Sequence, residues 1–244
     1  MWIEPSFYES LLYLLLSPVV FIGCIYIQKP KDADRNDDAE IVRRIRNIGV
    51  LCVVWTAALF VAFRVPGKEG PGVLTWLGLQ FTIQNYLGVL STSALTMVFY
   101  IGPLFQVLFE EEDTISFDIK AVRAYIFAPI YEELVYRSLC ITALVSGGWE
   151  FHTSVIVCAL SFGLSHLYHL FDTKNTGAVV FQSVFTSVFG IYAGYCFAIT
   201  GSLYASIVLH SFCNYMGLPN LVFLNPRSKL YKNCLLYTSD AADE

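Results

Sequence analysis

Three clusters of ionisable or amide side chains stand inside long apolar runs of this sequence. The first is Ala128-Pro129-Ile130-Tyr131-Glu132-Glu133-Leu134-Val135-Tyr136-Arg137. The second is Phe162-Gly163-Leu164-Ser165-His166-Leu167-Tyr168-His169, and the third is His210-Ser211-Phe212-Cys213-Asn214. A charge at bilayer depth costs about 2.5–3.5 kcal/mol by insertion scales, so such residues are functional candidates by default. On a helix, Glu133 and Arg137 are four apart with Glu first, the better order for an ion pair. Glu132 is turned about 100° from Glu133. The spacing therefore predicts a buried Glu133–Arg137 clamp, with Glu132 left free to work. The plainer alternative is one neutralised buried network of all three. His166 and His169 share a face, as do His210 and Asn214, and both members of the latter pair can donate hydrogen bonds. A carboxylate base, imidazoles and an amide donor in one bundle match general-base hydrolysis with an oxyanion hole. The chain has no His-Glu-x-x-His zinc motif and no Gly-x-Ser-x-Gly elbow.

Those residues must be positioned by helices that cross a bilayer. A hydrocarbon core about 30 Å thick needs about 20 apolar residues of helix. Candidate segments are Phe7 to Ile27, Asn47 to Phe63, Asn85 to Phe109, Arg123 to Val145, Thr153 to Phe171, Gly177 to Thr200 and Ser202 to Gly217. They predict an all-α polytopic transmembrane bundle of about seven spans, with no soluble domain. Between the first two lies Gln28 to Arg46, read as a polar loop of alternating charge. Its Lys29, Lys31, Arg35, Arg43, Arg44 and Arg46 place that loop in the cytosol by the positive-inside rule. Val73 to Gln84 reads as an amphipathic lead-in, and Glu110 to Asp113 as an acidic loop. Gly163 and Ser165 are small enough to permit close helix packing. His152, outside the three clusters, reads as structural or interfacial.

Composition agrees with this and closes other routes. Of 244 residues, 56% are hydrophobic and 14% charged, with 20 acids against 15 bases. That is the reverse of a disordered chain, and it lacks the basic surplus of a nucleic-acid binder. Seven cysteines in a chain of this length make no disulfide scaffold. The final Cys234 to Glu244 reads as the translation of a sequencing adapter, leaving 1–233 as a single transmembrane domain. Without Asp240, Asp243 and Glu244 the acids fall to 17, so most of the apparent acidity comes from that tail.

The three clusters resemble the type II CAAX prenyl endopeptidase family, whose pattern is Glu-Glu-x-x-x-Arg, then Phe-x-x-x-His, then His-x-x-x-Asn. Here these are Glu132-Glu133 with Arg137, Phe162 with His166, and His210 with Asn214, in that order. Ala128-Pro129, the run Phe181 to Tyr192 and His210 to Pro219 extend the likeness, which covers about 95–220. The resemblance implies a multi-pass protease of the endoplasmic reticulum membrane, with an eight-helix fold. Its substrates would be prenylated CAAX proteins such as small GTPases, cut after the prenyl-cysteine to release the last three residues. Glu132 would be the base and His166 would help activate water. His210 and Asn214 would hold the oxyanion. Glu133, Arg137, Phe162 and His169 would support the site from behind. No cofactor is implied, and lipid and the prenylated protein are the partners. The chain departs from the family at Tyr168, where a third histidine is common. It also lacks an evident eighth helix, and the expected reason is loss of the last helix ahead of the adapter.

Other readings remain at this point. Glu132, His166 and His210 could hold a zinc ion, since carboxylate and imidazole are its usual ligands. Cys140 and Cys213 lie near two of the motifs, although buried cysteine is commonly only a small hydrophobe. Intramembrane Glu, Arg and His also mark transporters, and a non-catalytic scaffold is compatible with the apolar bundle.

Overall fold

The structure, a computed structural model, describes residues 6–30, 33–62, 72–104, 117–171 and 173–217. The acidic loop Glu110 to Asp113, Pro219 and the stretch from Cys234 lie outside the described residues. Every regular element among the described residues is helical. In chain order these are α1 (Phe7–Tyr26), α2 (Asp38–Ala62), the single turn α3 (Val73–Trp76) and α4 (Ile83–Phe99). A compound helix α5 then runs from Ile119 to Ser146. It starts as Ile119–Val122, widens to a π-helix at Arg123–Phe127 and returns to α at Ala128–Glu133. A second π-helix, Leu134–Ile141, leads into Thr142–Ser146. Next come α6 (Phe151–Ser165), a 3-10 turn (His166–Phe171), α7 (Thr176–Thr200) and α8 (Leu203–Met216).

The chain is a membrane protein. The runs Phe7–Tyr26, Phe151–Phe171 and Thr176–Thr200 are long and apolar enough to cross a membrane by length and composition. The remaining helices are shorter or carry charge. The outward faces of both groups bear bare apolar side chains, Val53 and Val98 on α2 and α4 and Val184, Val188 and Ile199 on α7, as a lipid-facing surface requires.

Helix starts are fixed locally. Ser6 and Glu9 form a reciprocal capping box on α1. Asp118, Glu150, Asn175 and Ser202 each accept a backbone N–H at the starts of α5, α6, α7 and α8. Gly201 adopts the left-handed conformation (φ 60°) that lets α7 turn into α8 within two residues.

One segment departs from the sequence reading. Helix α2 begins at Asp38, so the second half of the expected polar loop is helical. Its alternating charges are intrahelical ion pairs: Glu40 lies 2.6 Å from Arg43 and 2.7 Å from Arg44. Asp38 and Glu40 also complement the positive end of the helix. The three- and four-residue spacing of these charges, not their number, marks the segment as helical.

The core draws on α1, α2, α5, α6 and α7. Leu139, Cys140, Leu144, Val155 and Cys158 fill one part, and Phe21, Leu51, Val135, Tyr136 and Phe162 another. The α6–α7 crossing is the tightest contact. A Cβ on Gly163 would stand 2.5 Å from the Ser183 carbonyl oxygen and would overlap the Ser187 hydroxyl. Ser183 donates its hydroxyl to the Gly163 carbonyl at 2.8 Å. Further along, Gly190 lies against Ala159 and Gly194 against Val155. Small residues thus let two apolar helices meet backbone to backbone, as the Gly163 expectation required.

Candidate active site

The three clusters converge. Glu132, His166, His210 and Asn214, together with Phe162 and His169, line one cavity of about 620 Å³. The cavity is walled by α1, α2, α5, the end of α6, α7 and α8. Glu133 and Arg137 do not line it. They lie behind it, with side-chain exposures of 0% and 2%, against 18% for Glu132. The 100° turn between neighbouring glutamates therefore sends one into the cavity and the other into the core.

Behind the cavity, Arg137 Nε is 3.2 Å from Glu133 Oε2, the i,i+4 pair that the spacing predicts. Its terminal nitrogens make no hydrogen bond among the described residues. Its guanidinium instead lies over the rings of Phe162, at 4.4 Å, and Phe189, at 5.7 Å. Those rings continue outward. Phe162 meets His166 edge-on at 4.9 Å, and Phe189 meets His210 at 4.8 Å. Arg137 thus supports an aromatic floor on which both cavity histidines rest.

The sequence did not reveal that Glu133 has a second partner. Its Oε1 is 2.6 Å from His210 Nδ1. Because an ionised carboxylate only accepts, that nitrogen carries the proton. The other ring nitrogen, Nε2, is 3.8 Å from Glu132. His210 therefore stands between the two glutamates, held by the buried one and presented to the exposed one. His166 is fixed in a similar way: Nδ1 donates to the Phe162 carbonyl at 3.0 Å, leaving Nε2 for the cavity. A carbonyl oxygen cannot donate, so this contact sets the tautomer of the neutral ring. Asn214 donates Nδ2–H to the Ala124 carbonyl at 2.9 Å, which orients the amide and leaves one N–H to give.

The remaining wall is apolar and aromatic, with Ile45, Ile48 and Tyr131 on one side and Phe181 and Phe185 on the other. Phe181 is exposed on the bundle exterior, so the cavity opens beside a lipid-facing helix. Sequence reasoning also missed Arg35, Arg44 and Arg123, which line the same cavity. Their long spacing in the chain left no signal. At α2, outside the apolar span, Glu40 keeps its carboxyl at about 2, chiefly through the hydrogen bonds from Arg43, with Arg44 adding to the effect.

Among the described residues, no three His, Cys, Asp or Glu side chains are grouped closely enough to share one metal ion. Cys213 lines the cavity, whereas Cys140 is fully buried and donates to the Ser17 hydroxyl. His152 contacts the Tyr195 hydroxyl at 2.9 Å, away from the site.

The site is thus a carboxylate, two imidazoles and an amide around an apolar cavity in a helical membrane bundle. Residues 114–216 match the model of the type II CAAX prenyl endopeptidase Rce1-like family. The chain is 28% identical to CAAX prenyl protease 2 of Homo sapiens over 226 residues, covering 82% of this chain and 68% of that protein. Identity to CAAX prenyl protease 2 of Arabidopsis thaliana is 36% over 131 residues, covering 50% of this chain and 42% of the plant protein. For the probable CAAX prenyl protease 2 of Schizosaccharomyces pombe it is 31%, covering 50% and 52%. The chain thus spans from about two fifths to about two thirds of the length of these relatives. No solved structure matches it.

Proposed function

We propose that the protein is an endopeptidase of the endoplasmic reticulum membrane that removes the C-terminal aaX tripeptide from prenylated CAAX proteins, small GTPases among them. One observation carries this reading: Glu132, His166, His210 and Asn214, from three helical segments, line one apolar-walled cavity. The family match and the names of the relatives point to the same substrate class.

In this mechanism Glu132 takes a proton from water while His166 Nε2 holds that water by accepting its other hydrogen. The hydroxide attacks the carbonyl of the prenyl-cysteine. Negative charge grows on the carbonyl oxygen, where the free N–H of Asn214 and, in its doubly protonated form, His210 Nε2–H donate to it. Glu132 then returns its proton to the leaving amine as the C–N bond breaks. The products are a prenyl-cysteine carboxylate and a free tripeptide. Glu133 keeps His210 in register, and Arg137 offsets the charge of Glu133. The apolar wall takes the prenyl chain, which is already confined to the bilayer. The reaction as written needs no cofactor.

The test is cleavage of a farnesylated CAAX peptide by the full chain in lipid vesicles, with Glu132→Ala alongside. Turnover by the parent and a loss of about 100-fold or more in the variant are expected for a general base. Equal rates in both would sink the mechanism. Exhaustive chelation should leave the parent rate unchanged. A loss restored by added zinc would convert the same residues into ligands.

A further inference from the structure

Among the described residues that line the cavity Glu132 is the only carboxylate, yet three guanidinium groups line it as well. Arg35 comes from the segment before α2, Arg44 from α2 itself and Arg123 from the first π segment of α5. Each is held in place, and only Arg44 has a carboxylate partner, one that it shares with Arg43. Arg123 donates Nη1–H to the Arg35 carbonyl at 2.9 Å and Nη2–H towards Asn36 Oδ1 at 3.5 Å. Arg35 Nη1 is 3.4 Å from His169 Nδ1. A guanidinium only donates, so this histidine nitrogen accepts. Among the described residues, neither Arg35 nor Arg123 has a carboxylate within ion-pair distance. Arg44 gives only Nε to Glu40, and Glu40 must also serve Arg43. The two terminal nitrogens of Arg44 make no hydrogen bond to a described residue, although its side chain is only 8% exposed.

Arg44 is buried, Arg123 half-buried and Arg35 exposed at the mouth, and converging cations around a buried guanidinium call for an anion. The shape of a guanidinium fork, two parallel N–H donors, suits a carboxylate. We propose that Arg44, flanked by Arg35 and Arg123, binds the free α-carboxylate at the C-terminus of the substrate. This rests on the hydrolytic reading above and adds to it the subsite that measures the tail. Three extended residues beyond the cut span about 10 Å, a reach that keeps both ends of the tripeptide within one cavity of this size. His169 acts as a positioning residue for Arg35, which accounts for its burial without a place at the reacting bond.

The experiment compares two farnesylated peptides of identical sequence, one ending in a free carboxylate and one in a carboxamide. Both are presented to the full chain in phosphatidylcholine vesicles. Binding is read separately, by fluorescence anisotropy on Glu132→Gln, so that recognition is seen without turnover. The acid should bind about tenfold or more tightly than the amide, as for the loss of a charge-assisted hydrogen bond. In cleavage by the parent this should reach KM far more than kcat. In Arg44→Gln the preference for the acid should shrink to about twofold or less, because the acid loses far more affinity than the amide. Equal binding of acid and amide by the parent chain would overturn the carboxylate site and leave hydrolysis standing. A retained preference without any turnover would instead overturn hydrolysis alone. Arg44→Gln weakening both peptides equally would mean that the cluster serves the fold or a lipid headgroup, and would also overturn the proposal. Changing the peptide end leaves the protein untouched, so the first comparison holds even if the variant folds poorly.

Discussion

Two glutamate–arginine pairs in this protein share the same four-residue spacing and do different things. Glu40–Arg44 closes at 2.7 Å at the start of α2, and Glu133–Arg137 at 3.2 Å in the middle of α5. Around the first, hydrogen bonding is rich. Arg43 joins Glu40 through two nitrogens and donates to the Ile25 and Ile27 carbonyls at the end of α1. The group ties two helices together within a short stretch of chain. Around the second, partners are few and distant in sequence. Glu133 takes His210 from α8, and Arg137 has aromatic faces in place of acceptors. A pair whose carboxylate is shared with a second arginine reaching the neighbouring helix acts as a fastener. A pair left incomplete in the core is available to orient a histidine in the cavity.

Breaking each pair separates these roles, and the largest effect belongs to the core. Removing one partner of a buried pair leaves an uncompensated charge and costs about 3–5 kcal/mol. Glu133→Ala should therefore lose stability of that order, and turnover as well, because His210 loses its anchor. Replacing both members, as Glu133→Leu with Arg137→Met, removes the orphan charge. Melting in lipid nanodiscs should then recover most of the lost stability while peptide cleavage stays low. Recovery of both together would make the pair a fastener like its counterpart at α2. The contrast would also collapse if Glu40→Ala proved as damaging as Glu133→Ala.

The second pair depends on helix packing in a way the first does not. His166 follows Gly163 by three residues, and the ring of Phe162 lies between His166 and Arg137. Gly163→Ala drives a methyl group against a backbone carbonyl on α7, a contact that no side-chain rotation relieves. Overpacking of this kind costs about 1–3 kcal/mol, and turnover should fall with the displaced imidazole. Gly177→Ala is the control, since a Cβ there meets only the Asn175 side chain at an ordinary 3.8 Å. Equal melting and activity in the two variants would show that the α6–α7 crossing does not set the position of His166.

How far the sequence reached follows the same division. Local spacing was legible: the Glu133–Arg137 pair, the opposite facing of Glu132, and the shared faces of His166 with His169 and His210 with Asn214. So was the all-α membrane class, because apolar runs of this length have few alternatives. Contacts that depend on chain separation were hidden. Nothing near His210 in the sequence indicates Glu133, and nothing near Arg44 indicates Arg123. The π segments of α5 also left no mark, since hydrophobic periodicity is too coarse to tell 3.6 residues per turn from a slightly wider winding. The charges of 38–46 were visible but were assigned to a loop. A check for i,i+3 and i,i+4 pairs would have placed them on a helix.

The smallest expected effect lies at Glu40, and there pH gives a cleaner test than truncation. Its carboxyl is lowered from 4.5 to about 2, first by the hydrogen bonds from Arg43 and then by Arg44. A carboxyl depressed on folding stabilises the fold at pH values above its unfolded pKa. That contribution fades as pH falls through the window towards the folded value. At pH 7 the parent should melt above Glu40→Gln by an amount corresponding to about 1–2 kcal/mol, the scale of a charge-assisted hydrogen bond. Between about pH 5 and pH 3 the two melting curves should approach each other, because the unfolded parent takes up a proton there that the folded carboxylate does not. Cleavage measured at pH 7 should barely change, since Glu40 does not line the cavity and Arg44 keeps its place in it. A gap that stayed constant down to pH 3 would mean that Glu40 acts through shape and packing. The α2 pair would then be no more an electrostatic fastener than the one behind the active site.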